Sequence, residues 1–214
     1  MPKICIKEHK VKIELEKSYK KEIYRKLLHL SSLWIPALIY FAPRPLSLSV
    51  FSLLLFGDSL LEYGHYKRWK WARKSFGLLF CHILRKKETK RSFFQISGSF
   101  YVLIAAIACL LLFGKIIAMI AMTVMLVSDT LAALVGRAVV SKKIYKDKSL
   151  AGTAAFLGSA IVVNLLYAPL FPFSVAGLAA CVVATFAEVF EDKIGIDDNL
   201  SIPLSVGLLL SLFS

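Results

Sequence analysis

Seven apolar runs, near 27–42, 46–63, 95–113, 115–136, 150–168, 173–190 and 200–213, alternate with short polar stretches, and nothing else in the chain restricts its fold as much. A hydrocarbon layer is about 30 Å thick, which asks for about 20 apolar residues of helix. The runs therefore predict an all-α, polytopic membrane protein with about seven transmembrane helices. The last run is the weakest, since it rises only about 21 Å at 1.5 Å per residue and must borrow residues upstream or sit in a thinned bilayer. Composition agrees: 57% of the 214 residues are apolar and the mean hydropathy is +0.67, well above the needs of a soluble core.

The net charge of +13 would suit nucleic acid, but the bases form short blocks between apolar runs instead of one basic face. Nucleic-acid binding is therefore not expected. The same blocks orient the chain. Residues 1–26 hold nine Lys and Arg, 64–94 ten, 137–149 five and 191–199 one, while Arg44 and Lys115 alone fall on the other side. By the positive-inside rule the N-terminus is cytoplasmic. Cys5, Cys81, Cys109 and Cys181 are scattered without metal-ligand spacing, so neither zinc nor a disulfide framework is signalled. No cleavable signal is expected, because the first twenty or so residues are charged and lack an apolar core.

Residues 1–22 read as a cytoplasmic basic arm and 23–214 as one membrane-embedded catalytic domain. Within the arm, "KICIKEHKVKIELEK" alternates apolar and charged residues, which suits either a short hairpin or a solvated strand of chain. The 64–94 segment interleaves aromatics with bases, as a helix lying in the headgroup layer does.

Asp58, Glu62, Asp129 and Glu188 lie inside apolar runs. A carboxylate at membrane depth is costly unless it faces a polar interior, so each is a functional candidate. In the orientation above they fall toward the cytoplasmic ends of the second, fourth and sixth helices. Asp58 and Glu62 also fit a plain interfacial helix end. Asp129 stands out, nearly two turns inside Arg137 and beside Ala132, Ala133 and Gly136, which permit close backbone approach. Arg137 fits a snorkelling anchor equally well. Arg25 and His29 share a face of the first helix, with Lys26 beside them. Lys148, Ser149 and the free N–H groups opening the fifth helix form an anion site. Asp197, Asp198 and Asn199 supply oxygen ligands at the mouth of the last helix, where Pro203 suits the first turn. Acids and bases at one depth are what Mg²⁺ and a polyphosphate require. No GxxxxGK[ST] loop is present, so any nucleotide site is built differently.

The segments "RKLLH", "SDTLAALVGR", "KSLAGT" and "DDNLSIP", in this order, resemble the polyprenol kinase family of dolichol, phytol and farnesol kinases and CTP-dependent diacylglycerol kinases. "LRKKE" followed by Gly98 resembles it too. The resemblance implies transfer of the γ-phosphate, usually from CTP with Mg²⁺, to the hydroxyl of a membrane lipid alcohol, with membrane lipids as surroundings. The family's motif residues match Arg25, Lys26, Asp129, Gly136, Lys148, Ser149 and Gly152, and with the acids noted above catalytic roles are expected for Arg25, Lys26, Asp129 and Asp198. Nucleotide contacts would come from His29, Arg85, Gly136, Arg137, Lys148, Ser149, Gly152 and Thr153, and metal ligation from Asp129, Glu188, Asp197, Asp198 and Asn199. The family often has Glu where Ala151 stands, and its frequent second glycine after the arginine is missing from this chain, where Ala138 follows Arg137. "SDTLAALVGR" and "KSLAGT" also resemble phosphatidate cytidylyltransferases, whose long closing motif is absent. That activity is the first alternative, and an ion-coupled transporter the second. A bacterial cell membrane and an endoplasmic reticulum suit the chain equally.

Overall fold

The computed structural model describes Tyr19, residues 23–67, Trp69, 97–172 and 174–212. The proposed N-terminal hairpin, the headgroup-layer helix beyond residue 69 and Arg85 lie outside these. The described chain is mostly helical. In order it runs through α1 (residues 23–31), α2 (Trp34–Phe41), α3 (Arg44–Tyr66), α4 (Gly98–Leu112) and α5 (Lys115–Ala138). Strands β1 (Lys143–Tyr145) and β2 (Lys148–Ser149) follow, then α6 (Leu150–Leu166), α7 (Val175–Val189), α8 (Glu191–Ile194) and α9 (Asp198–Leu212). Two helices, α3 and α5, are long and apolar enough to cross a membrane. The helices α4, α6, α7 and α9 are shorter apolar elements.

Several boundaries differ from the sequence reading, each for a local reason. The expected first helix is split at Ser32–Leu33. Ser31 and Ser32 turn their hydroxyls back onto the Leu28 carbonyl, and Pro36 has no N–H for the Ser32 carbonyl, which takes Ile35 instead. Residues 143–149, expected as plain loop, form a two-stranded antiparallel hairpin whose turn places Lys146 at φ 44°. Pro203 is not in a first turn: α9 begins at Asp198, so Pro203 lies one turn further in and leaves the Asn199 carbonyl without its usual donor.

Side-chain caps open two of the helices. Ser97 accepts from Phe100 N to open α4, and Ser149 accepts from Gly152 N to open α6. Pro45 sits at the second position of α3. Arg44 donates to the Leu111 carbonyl at 3.0 Å, placing a cation at the C-terminal end of α4.

Helix α5 is the axis of the fold. Nearly every residue from Ile117 to Thr130 is buried, and α2, α4, α6 and α9 pack around it. Met122, Met125 and Leu126 meet a core completed by Phe156, Ile202 and Leu210. By contrast α3 packs chiefly on α4 and turns Leu53 and Phe56 outward. Val175, Leu166 and Leu112 are likewise exposed, giving an apolar exterior larger than soluble monomers carry.

Candidate functional site

The site gathers where α1, the C-terminal half of α5, the hairpin, the α7–α8 junction and the start of α9 meet. Asp129 is buried on α5, and Lys26 of α1 forms an ion pair and hydrogen bond with its Oδ2. Both side chains are almost fully shielded, so neither charge could remain there alone. His29, one turn along α1 from Lys26, brings Nε2 to 3.5 Å from the same carboxylate oxygen. Arg25, half-buried beside them, adds to the positive field at His29.

A second ion pair lies alongside. Lys148 of β2 donates to Glu188 Oε1 at 2.5 Å and stands 3.9 Å from Glu191 Oε2. Burial by itself depresses the Lys148 ammonium. Glu188, through charge and hydrogen bond, then Asp198 and Asp129 outweigh it and hold its pKa above the ordinary lysine value. Lys148 thus connects the Asp129 region to the acids of α7, α8 and α9.

Among those acids, Glu191, Asp197 and Asp198 each place one carboxylate oxygen within 4.8 Å of the others. Asp198 is also in electrostatic reach of Asp129 and Lys26. Asn199 donates both its backbone N–H and its side-chain amide to Asp197 Oδ1, at 3.1 and 2.6 Å, which fixes that carboxylate at the entrance to α9. Hard oxygen donors this close are the set a Mg²⁺-sized cation accepts, with bonds of about 2.1 Å. Asp129 is engaged by Lys26, so in this state the metal-compatible group is Glu191, Asp197 and Asp198. Glu188 is engaged by Lys148 through one oxygen, while its buried Oε2 has no hydrogen-bond partner among the described residues.

The glycines and Ser149 play a packing part. A Cβ on Gly152 would come within 2.8 Å of the Ala132 carbonyl and 3.2 Å of Gly136 Cα, so α5 and α6 touch backbone to backbone. Ser149 Oγ spans the joint, donating to the Gly136 carbonyl at 3.3 Å. Thr153, in the first turn of α6, has a buried hydroxyl with no hydrogen-bond partner among the described residues. Arg137 is exposed in the last turn of α5, about 12 Å along the axis from Asp129 at 1.5 Å per residue. It is not among the groups that close on Asp129.

Asp58 and Glu62 belong to a separate cluster. Glu62 Oε1 accepts from Ser97 N at 2.8 Å, and Asp58 Oδ2 accepts from the Ser99 hydroxyl at 3.2 Å. These acids complete the N-terminal turn of α4, where a helix favours negative charge.

A protein of Rickettsia prowazekii (strain Madrid E), described as the uncharacterized protein RP860, is 31% identical to this chain over 194 residues. The match spans 88% of this chain and 93% of that protein. This chain belongs to the same family. No family model matches it, and no solved structure does.

Glu191 is the site residue that sequence reasoning missed. Its signal was present, because Glu188 and Glu191 are three apart and fall on one helical face. The sixth apolar helix does end near residue 190, at Val189, and a separate four-residue helix, α8, brings Glu191 back to the cluster. Asp192, which pairs with Lys146 at 2.9 Å, was missed as well. This pair fastens the hairpin to α8.

Proposed function

We propose that this protein is a lipid-alcohol kinase of a cellular membrane, with about seven spans and a cytoplasmic N-terminus. It transfers the γ-phosphate of a nucleoside triphosphate, CTP on the resemblance, to the hydroxyl of a polyprenol, a phytol-type alcohol or a diacylglycerol. The observation that carries this reading is the meeting of Lys26, His29, Asp129, Lys148 and Asp198 in one recess, with three carboxylates able to hold a cation beside them. Such a mixed cluster suits a metal-bound triphosphate and little else of comparable size.

Glu191, Asp197 and Asp198 would hold Mg²⁺, which supplies charge neutralisation on the phosphates. Lys148, already poised between acids, turns toward the triphosphate when it arrives. Lys26 and Arg25 balance charge from the α1 side. The lipid hydroxyl oxygen forms a bond to the γ-phosphorus as the bond to the β–γ bridging oxygen breaks, and the nucleoside diphosphate leaves. The hydroxyl proton goes to a carboxylate, Asp198 or Asp129. A loose transition state asks mainly for positioning and counter-charge, which a cluster fixed on four helices provides.

The test is incubation of purified protein with CTP labelled at the γ-position, Mg²⁺ and a panel of lipid alcohols. Label appearing on the lipid is the expected result. Cytidine on a phospholipid would replace this reading with the cytidylyltransferase, and neither product, with ion flux into proteoliposomes, with the transporter.

A further inference from the structure

Helices α1 and α2 run antiparallel to α5 along one continuous seam. Lys26 meets Asp129 at one end of it, and Ala37 and Tyr40 share a cavity with Thr123 and Met119 at the other. Leu33, in the turn between α1 and α2, also lines that cavity. Thr123 and Met119 precede Asp129 by six and ten residues, so the cavity lies about 9 to 15 Å along the axis from the carboxylate.

The cavity has a volume of about 240 Å³. Sites that enclose a whole small molecule measure about 300–1,000 Å³, so this one suits a segment of chain instead of a headgroup. Two of its hydroxyls are already paired. Thr123 Oγ1 donates to the Met119 carbonyl at 2.8 Å and lies 3.1 Å from the Tyr167 hydroxyl. No charged side chain among the described residues lines it, and the side formed by Ala37 and Tyr40 is exposed to the surroundings.

We propose that this cavity receives the far part of the hydrocarbon chain of the lipid acceptor whose hydroxyl is presented at Asp129. The inference rests on the kinase reading and deepens it by naming the acceptor class. The preferred substrate is an alcohol with a chain that passes the Ser32–Leu33 turn and fills the space beside Thr123. A short isoprenoid alcohol reaches Asp129 but leaves the cavity to other lipids. Selection by chain length then arises from apolar contacts far from the reacting atoms.

Two measurements test this independently. In the first, geranylgeraniol carrying a photoactivatable diazirine at its tail end is irradiated with the purified protein in phosphatidylcholine nanodiscs, and labelled peptides are mapped. The expected result is label on the α2 and Met119–Thr123 peptides, lost in Ala37→Trp, a substitution at an exposed position that fills the cavity. Label spread over the whole apolar exterior, or unchanged in Ala37→Trp, overturns the proposal. In the second, kcat/KM is compared for geraniol and geranylgeraniol. Ala37→Trp should lower the value for the long alcohol by about tenfold or more and leave the short one within about twofold. Equal losses for both overturn the proposal. If the label maps to the cavity but no alcohol is phosphorylated, the kinase reading fails while the chain-binding cavity stands.

Discussion

The two longest helices each carry buried or half-buried acids, and those acids sit at different kinds of place. On α3, Asp58 and Glu62 meet neutral donors, the hydroxyl of Ser99 and the backbone N–H of Ser97, at the start of α4. On α5, Asp129 meets Lys26 and His29 and feels Lys148, and Asp198 lies in its field. The first pair finishes a helix end. The second cluster concentrates formal charges of both signs that no helix terminus requires. A buried acid is therefore diagnostic through its partners more than through its depth.

The comparison breaks first at Asp129. Asp129→Asn should lower phosphoryl transfer by about 10²–10³-fold, as loss of a group that organises transition-state charge does. It should also cost about 3–5 kcal/mol, because Lys26 stays buried without its counter-charge. Full turnover of this variant would end the division drawn above. The double variant Lys26→Met with Asp129→Leu should recover most of the stability and none of the activity, checked by thermal unfolding in detergent alongside the labelled-CTP assay.

A smaller effect separates the clusters by cation binding. Electron paramagnetic resonance of bound Mn²⁺ should lose its signal in Asp198→Asn and keep it in Asp58→Asn. Equal losses would place the oxygen donors elsewhere.

Lys148 provides a pH signature. Its folded-state pKa is raised, so its contribution to stability is complete below the ordinary lysine value near about 10.4 and disappears as pH rises through the folded value. Glu188→Gln removes the largest raising influence and leaves burial, which lowers the pKa. Alkaline unfolding followed by near-ultraviolet circular dichroism should then begin at lower pH than in the wild type. An unchanged onset would mean that Glu188 does not govern this lysine.

Least affected should be Glu62→Gln, which keeps an acceptor for Ser97 N while removing a favourable charge at α4, about 0.3–1 kcal/mol. Its kcat/KM should stay close to wild type. A loss matching that of Asp129→Asn would unite the two clusters into one site.

Much of this was legible in the sequence because apolar run length is a coarse signal that survives local error. The helices fall close to the seven expected runs, and Asp129 was singled out by its small neighbours Ala132 and Gly136. What the sequence did not disclose was pairing. That Lys26 would engage Asp129, and that Glu191 would draw close to Asp197 and Asp198, depends on how α1, α8 and α9 approach α5 across long separations. The hairpin at 143–149 escaped notice because its strands are too short for alternation to register, and its turn uses Lys146 where glycine or asparagine would have announced it. Pro203 misled because proline is commoner at a helix start than one turn inside.

The backbone contact of Gly136 with Gly152 clasps α5 to α6 close to Asp129, leaving no slack for those two helices to part. The short α8 is held differently: it ends at Gly195, whose backbone is left-handed, and reaches the hairpin through the Lys146–Asp192 pair and its neighbours on the surface. One side of the cluster is thus held by backbone touching backbone, the other by side chains paired at the surface.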